Sequence, residues 1–353
     1  MQQLKRLAFE YNGKLSDCYK VSPSGDERGS GFSYLEELVQ KNNAVLITDE
    51  NIFRLHQSKF DGWKTIVIKA GEEHKQQSTA DYIIGELIRL EADRKTFVVG
   101  IGGGVVTDIT GYIASVYMRG LKFGFVPSSI LSMVDASIGG KNGVDVGVYK
   151  NLVGLFKQPE FLLYDYSLLQ TLPQEEWVNG FAEVIKHACI KDAELFSMLE
   201  QYSLQSIQSN AQLLAQLIER NVLIKTNVVV LDEFEQGDRK LLNFGHTIGH
   251  AIENMHQLPH GHAVSIGMVA ACNLSEKING LHFNDAARIV KLLSKYHLPV
   301  DIETDYEKVF EVLKMDKKRD QHSMNFILLN KIGEAIIKPI ALNELQLHLK
   351  EIL

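Results

Sequence analysis

Val98-Val-Gly100-Ile-Gly102-Gly103-Gly104-Val-Val-Thr-Asp108 opens as a β-branched run, closes on glycines and continues with helical character to about Tyr117. β-Branched residues suit a strand, and glycines at its end permit the tight turn into a helix. The same alternation lies upstream: Ala44-Val-Leu-Ile-Thr48, then Thr65-Ile-Val-Ile-Lys69, then a helical stretch from Ser78 to Glu91, then Thr96-Phe-Val-Val-Gly100. Short apolar strands interleaved with amphipathic helices are the pattern of βαβ units, so the spacing predicts an α/β N-terminal domain built on a largely parallel sheet.

The character changes around Thr171-Leu-Pro-Gln. From Glu175 onward the pattern is that of long helices, with Ala211 to Val230 apolar at helical spacing, and a late hairpin is expected from Phe326-Ile-Leu-Leu and Ala335-Ile-Ile around Lys331-Ile-Gly333-Glu. The expected division is an α/β domain over 1–170 and a mainly α-helical domain over 171–353, and a chain of 353 residues suits two domains. A net charge of −7 argues against nucleic acid as the main partner, because a phosphate-backbone binder carries a basic excess. Three widely spaced cysteines, Cys18, Cys189 and Cys272, fit neither a disulfide framework nor a Cys-x-x-Cys metal site, so a cytoplasmic setting is expected. No window reaches the length of a membrane span, and no membrane partner is expected.

The glycine run lets a backbone approach a diphosphate while helix N-terminal N–H groups face the anion, although it is not the usual Gly-x-Gly-x-x-Gly fingerprint. Two further strand ends, Thr48-Asp49-Glu-Asn51 and Gly71-Glu72-Glu-His-Lys75, lie where open α/β sheets collect ligands. The segment from Pro127 through Ser128, Ser129, Asp135, Lys141 and Asn142 to Lys150 and Asn151 places two lysines beside flexible glycines. Such lysines suit a phosphate or carboxylate, but either one alone reads by default as a solvated surface lysine on a loop; Arg119 has the same two readings. His246, His250 and His260 fall within fifteen residues, and His246 and His250 share one face of a helix, as zinc ligands do, although 12 histidines in 353 residues also cluster by chance. Glu183 and Lys186 are i,i+3 neighbours, either a metal-binding carboxylate beside a cation or a surface ion pair. Lys225, Glu235 and Arg239 admit the same alternatives.

Taken together, Gly-Gly-Gly-Val…Asp, Met-Arg-Gly, Val-Asp-Ala-Ser-Ile-Gly-Gly-Lys, Lys-Asn, Gly-Phe-Ala-Glu-Val-Ile-Lys, Leu-Asn-Phe-Gly-His-Thr-Ile-Gly-His-Ala, His-Gly and Asp316-Lys-Lys resemble the 3-dehydroquinate synthase family in order and spacing, over about residues 40 to 335. The resemblance implies a Rossmann-like NAD-binding domain followed by a metal- and substrate-binding domain. It implies that Glu183, His246 and His260 hold one divalent metal, zinc or cobalt, with His250 handling protons instead of ligating. Arg119, Asp135, Lys141, Lys150, Asn151, Lys186, Lys225, Arg239 and Asn243, with one of Lys317 and Lys318, match substrate positions. Asp49, Glu72, Lys75, Gly103, Gly104, Asp108, Ser128, Ser129 and Thr171 match NAD positions. His262 stands where the family often has Glu, Thr107 replaces a usual Gly, and Ser128-Ser129 replace a Thr pair.

The implied substrate, 3-deoxy-arabino-heptulosonate 7-phosphate, carries a phosphate, a carboxylate and hydroxyls, which accounts for cations gathered in an acidic chain. The implied reaction is transient oxidation by NAD+, phosphate elimination, return of the hydride, ring opening and aldol closure. A homodimer is expected from the resemblance alone. Competing readings are another sugar phosphate cyclase, a metal- and NAD-dependent polyol dehydrogenase, which would accumulate NADH, and a non-enzymatic sensor, which has no need of so many polar groups.

Overall fold

The computed structural model describes residues 5–11, 14–20, 31–147, 149–314 and 323–353. The chain forms two compact units, Met1–Glu176 and Trp177–Leu353. In the first, strands β1 (Lys5–Tyr11), β2 (Lys14–Lys20), β3 (Ala44–Asp49), β4 (Lys64–Ile68), β5 (Phe97–Gly102), β6 (Lys122–Pro127) and β9 (Phe161–Tyr164) form one sheet. Their order is β1-β2-β9-β6-β5-β3-β4. Within this sheet, among the described residues, the β1–β2 hairpin is antiparallel and the other pairings are parallel. β3, β5 and β6 are almost wholly buried, as expected of parallel strands covered on both faces.

The glycine run behaves as its sequence indicates. β5 ends at Gly102, Gly103 caps the next helix, and the helix Gly104–Val116 follows. Two features were not legible in the pattern. One is the edge hairpin β1–β2; the other is a separate antiparallel ribbon of β7 (Lys141–Val146) and β8 (Tyr149–Phe156), where the sequence suggests only a glycine-rich segment.

The second unit is mainly helical and carries the hairpin of β10 (Ser323–Lys331) and β11 (Glu334–Ala341). Its core gathers Ile248, Ile252 and Ile266 with Phe310, Phe326 and Leu345. The helices that matter below are Gln174–Lys191, Ala211–Leu231, His246–His256 and His260–Asn279. Among the described residues no helix is long and apolar enough to cross a membrane.

Candidate active site

Helix Gln174–Lys191 carries Asn179, Glu183, Lys186 and His187, and the last three are buried. The Glu183–Lys186 pair, which the sequence leaves free to be a surface contact, is 0% and 1% exposed and makes a direct ion pair. Two charges are removed from water only with partners arranged to receive them. Although burial works against ionisation, Lys186 and then His246 hold the Glu183 carboxyl well below the usual range.

Both histidines that meet this carboxylate are placed by turns. Gly245, at φ +77°, precedes His246 at the start of its helix, and an added Cβ there would lie 2.5 Å from Met268. His246 Nε2 lies 3.3 Å from Glu183 Oε1, and its Nδ1 donates to the Phe244 carbonyl at 3.1 Å. His260 opens the next helix; its Nε2 lies 3.3 Å from the same Oε1, and its Nδ1 faces Glu253 Oε2 at 3.3 Å. The backbone N–H of Gly261 donates to Asn179 Oδ1 at 2.6 Å, and a Cβ at 261 would fall 2.0 Å from the Asn179 carbonyl oxygen. Glycine at 261 therefore lets the His260 helix press against the Glu183 helix.

Glu183, His246 and His260 offer ligand atoms that all lie within 4.8 Å of one another. With each Nδ1 donating to an oxygen, each ring in its neutral form would turn its Nε2 lone pair toward a carboxylate oxygen. Such atoms repel unless a proton or a cation sits among them. A donor set of two imidazole nitrogens and a carboxylate, closely spaced and buried, fits zinc or cobalt. Burial pushes His246 down; burial of His260 is outweighed by Glu183 and Glu253, and its imidazole is pushed up to about 10.

His250 has its ring 5.3 Å from that of His246 and 6.2 Å from that of His260. Its ligand atoms group with Glu253 and His260 and not with Glu183. His262 belongs to none of these groups among the described residues.

Lys225 and Arg239 are also buried in this unit. Asp232, just after helix Ala211–Leu231, accepts from the backbone N–H groups of Gln236, Gly237 and Arg239 at 2.9, 2.7 and 3.0 Å, shaping the loop that leads to Arg239. The Arg239 guanidinium donates to the Glu233 carbonyl, and Asn243 Nδ2 donates to Glu235 Oε1 at 2.6 Å. Lys317 and Lys318 lie outside the described residues.

The first unit assembles a second cluster at the ends of its parallel strands. Asp49 Oδ1 accepts from the N–H groups of Asn51 and Ile52 at 2.9 and 3.0 Å, and burial raises its pKa against those bonds. Lys75 is buried, 2.5 Å from Asp108 and 4.0 Å from Glu72, and donates to Asn151 Oδ1 at 2.7 Å. Burial would release its proton, but Asp108 and Glu72 raise its pKa. Asn151 adopts φ +52°, and its backbone N–H donates to Asp145 Oδ1 at 2.6 Å. Asp145 in turn donates its own N–H to the Lys75 carbonyl at 2.7 Å.

Ser128 N–H donates to the Gly102 carbonyl at 2.9 Å, and the Ser129 and Ser132 hydroxyls are 3.0 Å apart. Ser132 begins a π-helical turn that ends at Ala136 and contains Asp135. Gly104 is held close to that turn, since a Cβ there would lie 3.3 Å from the Ala136 Cβ. Thr171 Oγ1 is 2.7 Å from His56 Nε2. Arg119 (φ +66°), Lys141 and Lys150 are exposed, the first on a turn and the lysines on the ribbon. Sequence reading passed over Glu253, Asp145, Asp232 and Asn179. For Glu253 a signal existed, because it lies seven residues after His246 and three after His250, on the same helical face.

Residues 65–179 match the 3-dehydroquinate synthase N-terminal model, and residues 180–319 match the 3-dehydroquinate synthase C-terminal model. The chain belongs to the 3-dehydroquinate synthase family. The 3-dehydroquinate synthase of Campylobacter curvus is 40% identical over 314 residues, 86% of this chain and 90% of that protein. The 3-dehydroquinate synthase function places the chain among phosphate-eliminating lyases of the shikimate pathway, acting on a sugar phosphate. Two solved structures share the fold. A 2-deoxy-scyllo-inosose synthase complexed with carbaglucose-6-phosphate, NAD+ and Co2+ has a TM-score of 0.84 at 23% identity, covering 98% of this chain and 100% of that one. A 2-epi-5-epi-valiolone synthase from Streptomyces hygroscopicus subsp. jinggangensis 5008, with NAD+ and Zn2+ bound, has a TM-score of 0.84 at 24% identity, covering 100% of this chain and 98% of that one.

Proposed function

We propose that this synthase works with NAD and one divalent ion, zinc or cobalt, held by Glu183, His246 and His260. The observation that carries this is the convergence of two imidazole Nε2 atoms on one buried carboxylate oxygen. When bound, NAD+ supplies a reversible hydride acceptor and the ion supplies Lewis acidity. Lys186 keeps Glu183 ionised, and the acceptors on each Nδ1 keep the Nε2 lone pairs available. His250, beside both ligand histidines, takes and returns protons.

Lys186, Lys225 and Arg239 are cations already stripped of water, which raises their strength toward the substrate carboxylate and phosphate. Arg119, Asp135, Lys141, Lys150, Asn151 and Asn243 complete the polar set for the substrate. NAD is assigned to the first unit. There the N-terminal N–H groups after Gly103 and Gly104 would receive the diphosphate, and the second oxygen of Asp49 would hold a ribose hydroxyl. Glu72, Lys75, Asp108, Ser128, Ser129 and Thr171 are assigned to the same cofactor. We assign the enzyme to the cytoplasm, as a homodimer. Support for the dimer comes from apolar side chains left on the surface, among them Val116, Met118, Tyr149 and Phe156.

The test is phosphate release from 3-deoxy-arabino-heptulosonate 7-phosphate, with and without chelator and NAD+. Release is expected to need both the ion and NAD+, with no build-up of NADH absorbance. Glu183→Gln is expected to lose both turnover and bound metal. NADH formed in step with product would indicate a dehydrogenase, and full metal content in Glu183→Gln would remove the ligand assignment.

A further inference from the structure

We propose that Glu253 is a positioning residue for the metal centre: through the Nδ1–H of His260 it fixes the tautomer and orientation in which His260 offers Nε2 as a ligand. The proposal rests on the reading of Glu183, His246 and His260 as the ligand set.

Of those three side chains His260 is the least enclosed, 30% exposed against 0% for Glu183 and 10% for His246. It stands at the first position of its helix, after the turn Gln257-Leu258-Pro259, so the backbone does not lock its ring. His246 has a fixed acceptor for Nδ1 in the Phe244 carbonyl. Among the described residues His260 has none from the backbone. Its Nδ1 instead faces Glu253 Oε2 at 3.3 Å, from a carboxylate that is itself only 8% exposed.

Glu253 is well placed for this. His246, His250 and Glu253 occupy positions i, i+4 and i+7 of helix His246–His256 and share one face. The seven-residue return through the turn brings His260 back over that face. A carboxylate behind a ligand imidazole raises its donor strength and restricts its rotation, and removing such a partner costs about 10- to 100-fold in metal affinity. A buried carboxylate kept only for stability would have no such effect.

Cobalt(II) serves as the probe. Protein stripped with a chelator is titrated with cobalt(II), following ligand-field absorption and the dissociation constant, for wild type, Glu253→Gln, Glu253→Ala and Glu183→Gln. Glu253→Ala is expected to weaken cobalt binding about 10- to 100-fold and to change the absorption bands. Glu253→Gln keeps the shape and an acceptor but loses the charge, so it is expected to fall between Glu253→Ala and wild type. Circular dichroism and thermal unfolding report whether each variant folds, and if Glu253→Ala does not, the isosteric Glu253→Gln decides. Wild-type affinity and spectrum in Glu253→Gln, with cobalt lost in Glu183→Gln, would overturn the positioning role and leave the ligand set standing. Cobalt bound normally by Glu183→Gln would overturn the ligand set itself.

Discussion

At the scale of single residues the decisive fact is where charge is buried. Lys186, Lys225 and Arg239 are cations inside a unit of an acidic protein, whereas Lys141 and Lys150 are exposed on the β7–β8 ribbon. An exposed lysine contributes little to folding, so truncating it tests function cleanly. A lost charge-assisted hydrogen bond to an anion costs about 1.5–3 kcal/mol, roughly ten- to hundredfold in rate. Lys141→Ala and Lys150→Ala are each expected to lower kcat/KM by that factor, with NAD+ affinity and Tm nearly unchanged. Steady-state kinetics and thermal unfolding check this, and wild-type kinetics in both would move the anion site elsewhere. Spacing alone pairs His246 with His250, yet the nitrogens that approach Glu183 belong to His246 and His260. Helical periodicity reports which residues share a face, but not which residue a turn brings back over it.

At the scale of elements, the junction between helices Gln174–Lys191 and Ala193–Gln201 shows how one side chain ties neighbours together. Asp192 caps the second helix by accepting from the Leu195 N–H at 2.9 Å, and it accepts two bonds from Arg220 of helix Ala211–Leu231. Burial would raise its pKa, but Arg220 and the Leu195 N–H prevail and hold it below its ordinary 3.8. A carboxyl depressed in the folded state contributes stability that is present above the unfolded pKa and lost as pH falls through the folded one. Asp192→Ala is therefore expected to cost about 1–2 kcal/mol at pH 7, from cap and ion pair together. The gap from wild type should close as pH drops below about 4. Thermal unfolding across that range measures it, and a gap that stays constant with pH would assign the loss to packing. The strands around the glycine turn were legible because buried parallel strands read as apolar runs. The β1–β2 hairpin and the ribbon were not, since an edge pair and a glycine-rich ribbon carry little alternation for a pattern to report.

For the whole molecule, two consequences can be measured. The apolar side chains exposed at Val116, Met118, Tyr149, Leu152 and Phe156 are expected to be covered in a homodimer, so sedimentation at micromolar concentration should give twice the mass of one chain. A monomer at all accessible concentrations would remove that assignment. Ligands that bind only the folded state stabilise it by mass action, so stripping the metal is expected to lower Tm and restoring zinc or cobalt to raise it again. A Tm indifferent to chelation in protein that binds metal would be inconsistent with a buried ion.

The sequence by itself determined the alternating strands and helices of the first unit, the helical run of the second and the late hairpin, because strand and helix periods are local properties of neighbouring residues. Its motifs were also sufficient to name the family. Only the tertiary structure decided that Glu183 and Lys186 form a buried pair, that Asp145 and Lys75 hold Asn151, and that Glu253 stands behind His260. The last two contacts join groups from separate elements, and the first is buried only because other elements close over its helix. The contacts around Glu183 and His260 exist only once their helices have packed as closely as Gly261 against Asn179 allows, and the distance between two packed helices is written in no short stretch of chain.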